Sequence, residues 1–248
     1  MAIPLLPPFG ASPVCYLLGY AAGIAAFATL ARRRGLSTAG VWSVAIVGLF
    51  GGLVGANLAQ FMASGGKELG KTILGGVVGG YLSIHFYKRR IGLTRPLGDL
   101  WAFALSAGEA VGRWGCFFGG CCYGRETGRA AWWAIRQHGA FRYPTQVYLS
   151  LASAAIFVLL VLLERRKTLP ENGLFVVQGF LACAARFVIE GYRTAPAVWG
   201  GLTAAQWACL AGLVFFAAMG ARLFKAAGRR PALPRGAVTL PPPRRVSP

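Results

Sequence analysis

Acidic residues are scarce: seven Asp and Glu stand against 26 Lys and Arg in 248 residues, and only 13% of the chain is charged. A soluble domain carries about a quarter of its residues as charges to cover its surface, so this content excludes an ordinary water-facing fold. With 56% of residues hydrophobic, the chain belongs in a bilayer. Histidine is nearly missing, with only His85 and His138, so the six cysteines lack the partners of common zinc patterns. Cys116, Cys121 and Cys122 follow a CxxxxCC spacing rather than paired CxxC motifs, and from spacing alone neither a metal nor a cofactor is expected. A disulfide, small apolar packing or unpaired thiols stay open for these three. Cys15, Cys183 and Cys209 fall in apolar runs and read as packing residues. The opening MAIPLLPPFG lacks the basic n-region of a cleavable signal peptide and is broken by three prolines, so no processing is expected.

What is present is organised as apolar runs of spanning length, roughly 20 residues each. Seven are expected: Val14 to Ala31, Val41 to Ala63, Ile73 to Tyr87, Leu97 to Val111, Tyr148 to Leu163, Gly173 to Ile189 and Thr203 to Leu223. The fold class is therefore an all-α membrane protein with about seven transmembrane helices. The loops after the first, third and fifth runs, with the C-terminal tail, hold about twice the Lys and Arg of the other loops. By the positive-inside rule the N-terminus is extracytoplasmic and the C-terminus cytoplasmic. The formal net charge of +19 sits in short clusters between apolar runs, which points to anionic lipid headgroups and not to nucleic acid. Residues 1–225 read as one membrane domain, and the Pro- and Arg-rich 226–248 as a disordered cytoplasmic tail. Glycines crowd the second and third runs (GLFGGLVGANLAQ, ILGGVVGGY), a composition that lets helices approach closely in lipid.

Polar chemistry gathers toward one side. A long outer loop is expected after the fourth run, beginning Gly112-Arg113-Trp114-Gly115-Cys116-Phe117-Phe118-Gly119-Gly120-Cys121-Cys122-Tyr123-Gly124-Arg125. Glu109 precedes Arg113 by four residues, and Arg186 precedes Glu190 by four, so each pair shares a helix face. Ionisable residues inside a membrane helix are costly, which makes Glu109, Arg186 and Glu190 functional candidates. Arg113, Arg142, Arg186 and Arg193 converge on the outer side, and arginine's planar fork suits bidentate contact with phosphate. A phospholipid headgroup is the implied ligand. The bland alternative is that each Glu/Arg pair only neutralises itself between helices. His138, in the same loop, is a candidate base, and His85 reads as interfacial.

These segments resemble the prolipoprotein diacylglyceryl transferase family of bacterial inner-membrane enzymes. GRWGCFFGGCCYG is similar to that family's signature at Gly112, Arg113, Gly115, Phe117 and Gly124, and departs from it at Cys116, Gly119 and Cys121. Arg142-Tyr143-Pro144-Thr145-Gln146-Val147-Tyr148-Leu149 resembles a second segment without its His and final Glu, and Arg186-Phe187-Val188-Ile189-Glu190-Gly191-Tyr192-Arg193 resembles a third. Gly201 to Gln206 resembles the start of the family's last helix. Gly55-Ala56-Asn57 and Leu74-Gly75-Gly76 stand where the family has Gly-Ala-Arg and His-Gly-Gly. The resemblance implies transfer of a diacylglyceryl group from phosphatidylglycerol to the cysteine thiol of a prolipoprotein signal peptide, in the bacterial cytoplasmic membrane. It implies Arg113, Arg186 and Glu190 as catalytic, and Glu109, Gly112, Gly115, Cys116, Gly124, Arg142, Gln146, Tyr148, Arg193, Asn57, Gly75 and Gly76 as substrate-binding. The partners are phosphatidylglycerol or a related anionic phospholipid, a prolipoprotein signal peptide and the bilayer. A related transferase with another acceptor, or a non-catalytic phospholipid-binding protein, are the alternative readings.

Overall fold

The computed structural model describes residues 10–66, 72–128 and 132–227. The expected unprocessed N-terminus and nearly all of the expected disordered tail lie outside the described residues. Among the described residues seven helices follow in order: α1 (Ala11–Arg33), α2 (Ala39–Ala63), α3 (Ile73–Arg90), α4 (Gly98–Phe118), α5 (Thr145–Arg166), α6 (Gly173–Glu190) and α7 (Ala204–Ala227). Two short antiparallel hairpins, which the apolar pattern does not announce, interrupt them: β1 (Ile135–Gln137) with β2 (Ala140–Arg142), and β3 (Ala197–Trp199) with β4 (Leu202–Thr203).

Five helices, α1, α2, α5, α6 and α7, are long and apolar enough to cross a membrane. The other two fall short for visible reasons. Helix α3 ends in Lys88, Arg89 and Arg90, and α4 carries Asp99, Glu109 and Arg113 along its length. Large apolar side chains such as Leu17, Phe50, Val54, Leu151, Val158 and Val214 stand exposed on the helix surfaces, an arrangement suited to hydrocarbon as the solvent. The sequence stretch expected to leave the fourth helix at Val111 instead stays helical through Phe118. Glycine is tolerated inside membrane helices, and here Gly112 and Gly115 are where α1 comes close. A Cβ on Gly19 would stand 2.8 Å from the Gly112 Cα, and one on Gly115 would stand 2.9 Å from the Tyr16 ring.

Residues Ala31–Pro96 form one compact unit, and the chain up to Leu30 with Leu97 onward forms another. In the first, α2 and α3 lie backbone to backbone. A Cβ on Gly55 would overlap the Gly75 carbonyl oxygen and sit 2.8 Å from the Gly79 Cα, so these glycines are packing residues. Thr72 caps α3, accepting from the Gly75 N–H.

In the larger unit α4 packs on α5 and α6, and α6 on α7. The starts of α4 and α6 cap each other. Buried Asp99, in the first turn of α4, accepts hydrogen bonds from the Asn172 N–H at 3.2 Å and the Phe175 N–H at 3.1 Å, two of the donors that the first turn of α6 leaves without helical partners. Asn172 returns the contact, its Oδ1 accepting from the Gly98 N–H at 2.9 Å. A Cβ on Gly98 would stand 2.6 Å from that same Oδ1, so the exchange needs glycine there. With both helices starting at one level and packed together, their far ends also share a level. Asp99→Ala removes two charge-assisted hydrogen bonds from buried N–H groups, and a loss of about 2–4 kcal/mol is expected. Chemical unfolding in detergent checks this, and an unfolding midpoint equal to wild type would refute it.

Candidate active site at the shared ends of α4 and α6

Arg113 stands one turn beyond Glu109 on α4, and its Nε and Nη2 both donate to Glu109 Oε1, the Nε bond at 2.9 Å. The other carboxylate oxygen of Glu109 accepts from Ser153 Oγ of α5 at 3.0 Å. Glu109 is thus committed on both oxygens, and the Arg113 fork is held at a fixed angle. On α6, Glu190 is 3% exposed and its Oε2 receives Arg186 Nη2 at 2.9 Å and Arg193 Nη1 at 3.2 Å. One carboxylate therefore serves two guanidinium groups. Arg186 also lies within electrostatic reach of Arg113 and Glu109, so five charges, three positive and two negative, form one cluster. Among the described residues the buried Nη1 of Arg186 makes no hydrogen bond. An uncommitted guanidinium donor in a cluster with net positive charge is a site for an anionic oxygen.

A polar cap covers this end. The Gly124 N–H donates to the Tyr143 carbonyl at 3.0 Å and the Arg125 N–H to the Tyr192 carbonyl at 2.8 Å, so the segment after α4 lies between the starts of α5 and the end of α6. A Cβ on Gly124 would stand 2.6 Å from the Tyr143 Cβ and 2.7 Å from the Tyr192 carbonyl oxygen, which explains glycine at this position. Arg125 stacks over Tyr143 and Tyr192, with centroid distances of 5.6 and 5.9 Å. Tyr148 meets Tyr192 edge-on at 6.4 Å. Arg142, expected at the mouth, holds the β1–β2 hairpin: its Nη2 pairs with Glu126 at 2.7 Å, its Nε donates to the Gln137 carbonyl at 3.2 Å, and its guanidinium covers Tyr123 at 4.7 Å. Buried Gln146 donates from Nε2 to the Cys121 carbonyl at 2.7 Å and to Gln137 Oε1 at 3.3 Å. His138, the candidate base, holds the Gly120 carbonyl through Nε2 at 2.7 Å. That contact makes it a brace of the cap.

Cys116 lies in the last turn of α4, and its Sγ accepts from the Tyr16 hydroxyl at 3.3 Å. Cys121 and Cys122 follow in the loop, and hydrogen bonding to Cys116 and Cys122 pushes the Cys121 thiol above the ordinary thiol range. Three of the expected site residues belong to the other compact unit. Asn57 donates to the Leu53 carbonyl of its own helix at 2.8 Å, Gly75 packs against α2 where a Cβ would overlap Ala59, and a Cβ on Gly76 would meet Ala56 at 3.6 Å. Sequence reasoning missed Ser153, Arg125 and Glu126. Ser153 leaves no local signal, because its partner is 44 residues away.

The family model described as prolipoprotein diacylglyceryl transferase matches residues 12–222. The chain is 30% identical over 200 residues to the phosphatidylglycerol–prolipoprotein diacylglyceryl transferase of Clostridioides difficile strain 630, covering 74% of this chain and 78% of that protein. It is 25% identical to the Clostridium tetani protein of the same name, covering 72% and 78%, and 28% identical to that of Streptococcus sanguinis, covering 67% and 66%.

Removing one partner from a buried ion cluster leaves charge uncompensated, at a cost of about 3–5 kcal/mol. Glu190→Ala is expected to destabilise by that order and Glu190→Gln by less, since the amide oxygen still accepts. Thermal unfolding in detergent reads both, and equal stability of Glu190→Ala and wild type would show that the cluster gives no support.

Proposed function

The chain belongs to the prolipoprotein diacylglyceryl transferase family, and on that premise we propose how its own residues carry the reaction. It is a membrane enzyme that moves a diacylglyceryl group from phosphatidylglycerol to a prolipoprotein. The observation that carries the mechanism is the buried Nη1 of Arg186, which has no hydrogen-bond partner among the described residues, together with a guanidinium at Arg113 that Glu109 holds in place.

The phosphodiester of phosphatidylglycerol lies between Arg113 and Arg186. As the bond between the terminal glyceryl carbon and the phosphate oxygen breaks, negative charge grows on the departing glycerol phosphate. Two fixed guanidinium groups in a water-poor site stabilise that charge more than they stabilise the intact diester, which is what accelerates the step. Glu190 keeps Arg186 and Arg193 aligned, and Glu109 does the same for Arg113. Both carboxylates are occupied as acceptors of arginine N–H groups, so they orient the clamp and are poorly placed to take the acceptor's proton. The cap residues Gly124, Gln146, Tyr148 and Arg142 border the space where the acceptor peptide enters.

All seven helices cross the membrane in this reading, α3 and α4 included. The ends of α4 and α6 that carry the arginines face outward, and Asp99 and Asn172 lie at the cytoplasmic face of the inner membrane. The basic clusters Arg32–Arg33, Lys88–Arg90 and Arg165–Arg166 at the ends of α1, α3 and α5 support that orientation.

Reconstitution with labelled phosphatidylglycerol and a prolipoprotein signal peptide tests the reading. Arg113→Ala and Arg186→Ala are each expected to lower transfer on the order of a hundredfold or more while the protein still folds. Transfer at the wild-type rate in Arg186→Ala would end the clamp, and no transfer by the wild-type protein would end the assignment of acceptor.

A further inference from the structure

Three thiols meet where α4 ends. The Sγ atoms of Cys116, Cys121 and Cys122 all lie within 4.8 Å of one another. A zinc ion at the usual Zn–S distance of about 2.3 Å holds its sulfurs roughly 3.8 Å apart, so closing the trio on an ion asks for an adjustment on the order of 1 Å. Sequence spacing did not suggest this, because CxxxxCC puts one sulfur on a helix and two on a loop that must turn back toward it.

The loop that presents them is held from several sides. Buried Gln146 donates to the Cys121 carbonyl at 2.7 Å and Thr145, fully buried, to the Cys122 carbonyl at 2.8 Å. His138 Nε2 holds the Gly120 carbonyl at 2.7 Å, and the Cys121 N–H donates to the Cys116 carbonyl at 3.1 Å. Cys122 is kept at φ 59°, a left-handed conformation that costs a side-chain-bearing residue about 1–2 kcal/mol and that recurs where a site requires it. A disulfide would use two sulfurs and strand the third, whereas a metal uses all three. Cys121 is exposed, so the cluster keeps an open face. Three protein ligands with one open position is the arrangement of catalytic zinc, in contrast to closed four-ligand structural sites.

We infer that Cys116, Cys121 and Cys122 bind one zinc ion as thiolates, and that the open coordination position receives the acceptor cysteine of the incoming peptide. The second half of this rests on the transferase reading above. It supplies what the clamp lacks, because Glu109 and Glu190 are already committed to arginines. On binding the metal the acceptor thiol releases its proton to water, since a coordinated thiol is deprotonated. Its sulfur electron pair then forms the C–S bond to the terminal glyceryl carbon as the C–O bond to phosphate breaks. The electron pair of that bond leaves with glycerol phosphate, on Arg113 and Arg186. Cys116 lies one turn past Arg113 on α4, about 4.5 Å along the axis, so nucleophile and leaving group are served by adjacent turns.

The test uses the full chain purified in detergent without reductant or added metal. Elemental analysis is expected to find about one zinc per chain. That zinc should be lost in each of Cys116→Ser, Cys121→Ser and Cys122→Ser, and kept in Cys183→Ser, whose sulfur packs against Gly212 on α7. Cobalt(II) exchanged for zinc should show thiolate charge-transfer absorption, and a signal peptide with its acceptor cysteine should change the cobalt bands where the same peptide with serine does not. Chelation should reduce transfer on the order of a hundredfold or more, restored by zinc. Copper in place of zinc, no bound metal, or a disulfide mapped among the three thiols overturns the site. Bound zinc with cobalt bands indifferent to the thiol peptide overturns the acceptor step. Cobalt bands that respond to the thiol peptide, in a protein that transfers nothing, uphold the site and overturn the transferase reading instead.

Discussion

The reciprocal capping of α4 and α6 is the constraint on which the rest of the site depends. Asp99 closes the first turn of α6 and Asn172 closes that of α4, so two helices far apart in sequence start in register. Arg113 and Arg186 each stand about four turns, roughly 21 Å, beyond their capping residue. A clamp built from two helices needs its two groups at the same height, and the exchange at the opposite end sets that height. Movement of one helix by a single turn would carry its guanidinium about 5.4 Å away from the other.

Charge in an apolar bundle is stable only when it is answered, and the cluster at the far end answers nearly all of its own. Ser153, Glu109 and Arg113 form one set, and Arg186, Glu190 and Arg193 the other. Two carboxylates against three guanidiniums leave one positive charge in excess, and the donor without a partner is on Arg186. That imbalance is what separates this cluster from a neutral structural salt bridge. In the proposed reading it predisposes the site to one phosphodiester anion.

Much of the scaffold could be read from apolar run length and from the i, i+4 pairs Glu109/Arg113 and Arg186/Glu190, because both signals are local. The end of α4 could not. Glycines at 112 and 115 look like a loop in a linear reading, yet they lie on the helix face that α1 approaches through Gly19 and Tyr16, and that partner is about a hundred residues away. The same limit hid Asp99 with Asn172 and Ser153 with Glu109. Arg142, expected at the mouth, holds the β1–β2 hairpin instead, and its neighbours Glu126, Gln137 and Tyr123 come from turns whose shape no periodicity encodes. The thiol trio was visible as a spacing, but its clustering is seen only once the turn through Gly120 and Cys122 returns the loop to the helix.

In the proposed reading a phospholipid phosphate lies between two arginines aligned by the α4–α6 capping exchange. The most direct measurement is a structure of the protein in phosphatidylglycerol nanodiscs. Density for a phosphate is expected within hydrogen-bond distance of both Arg186 Nη1 and the Arg113 guanidinium. A phosphate bound elsewhere, or lipid present with this mouth closed by direct contacts between the arginines and protein acceptors, would contradict it.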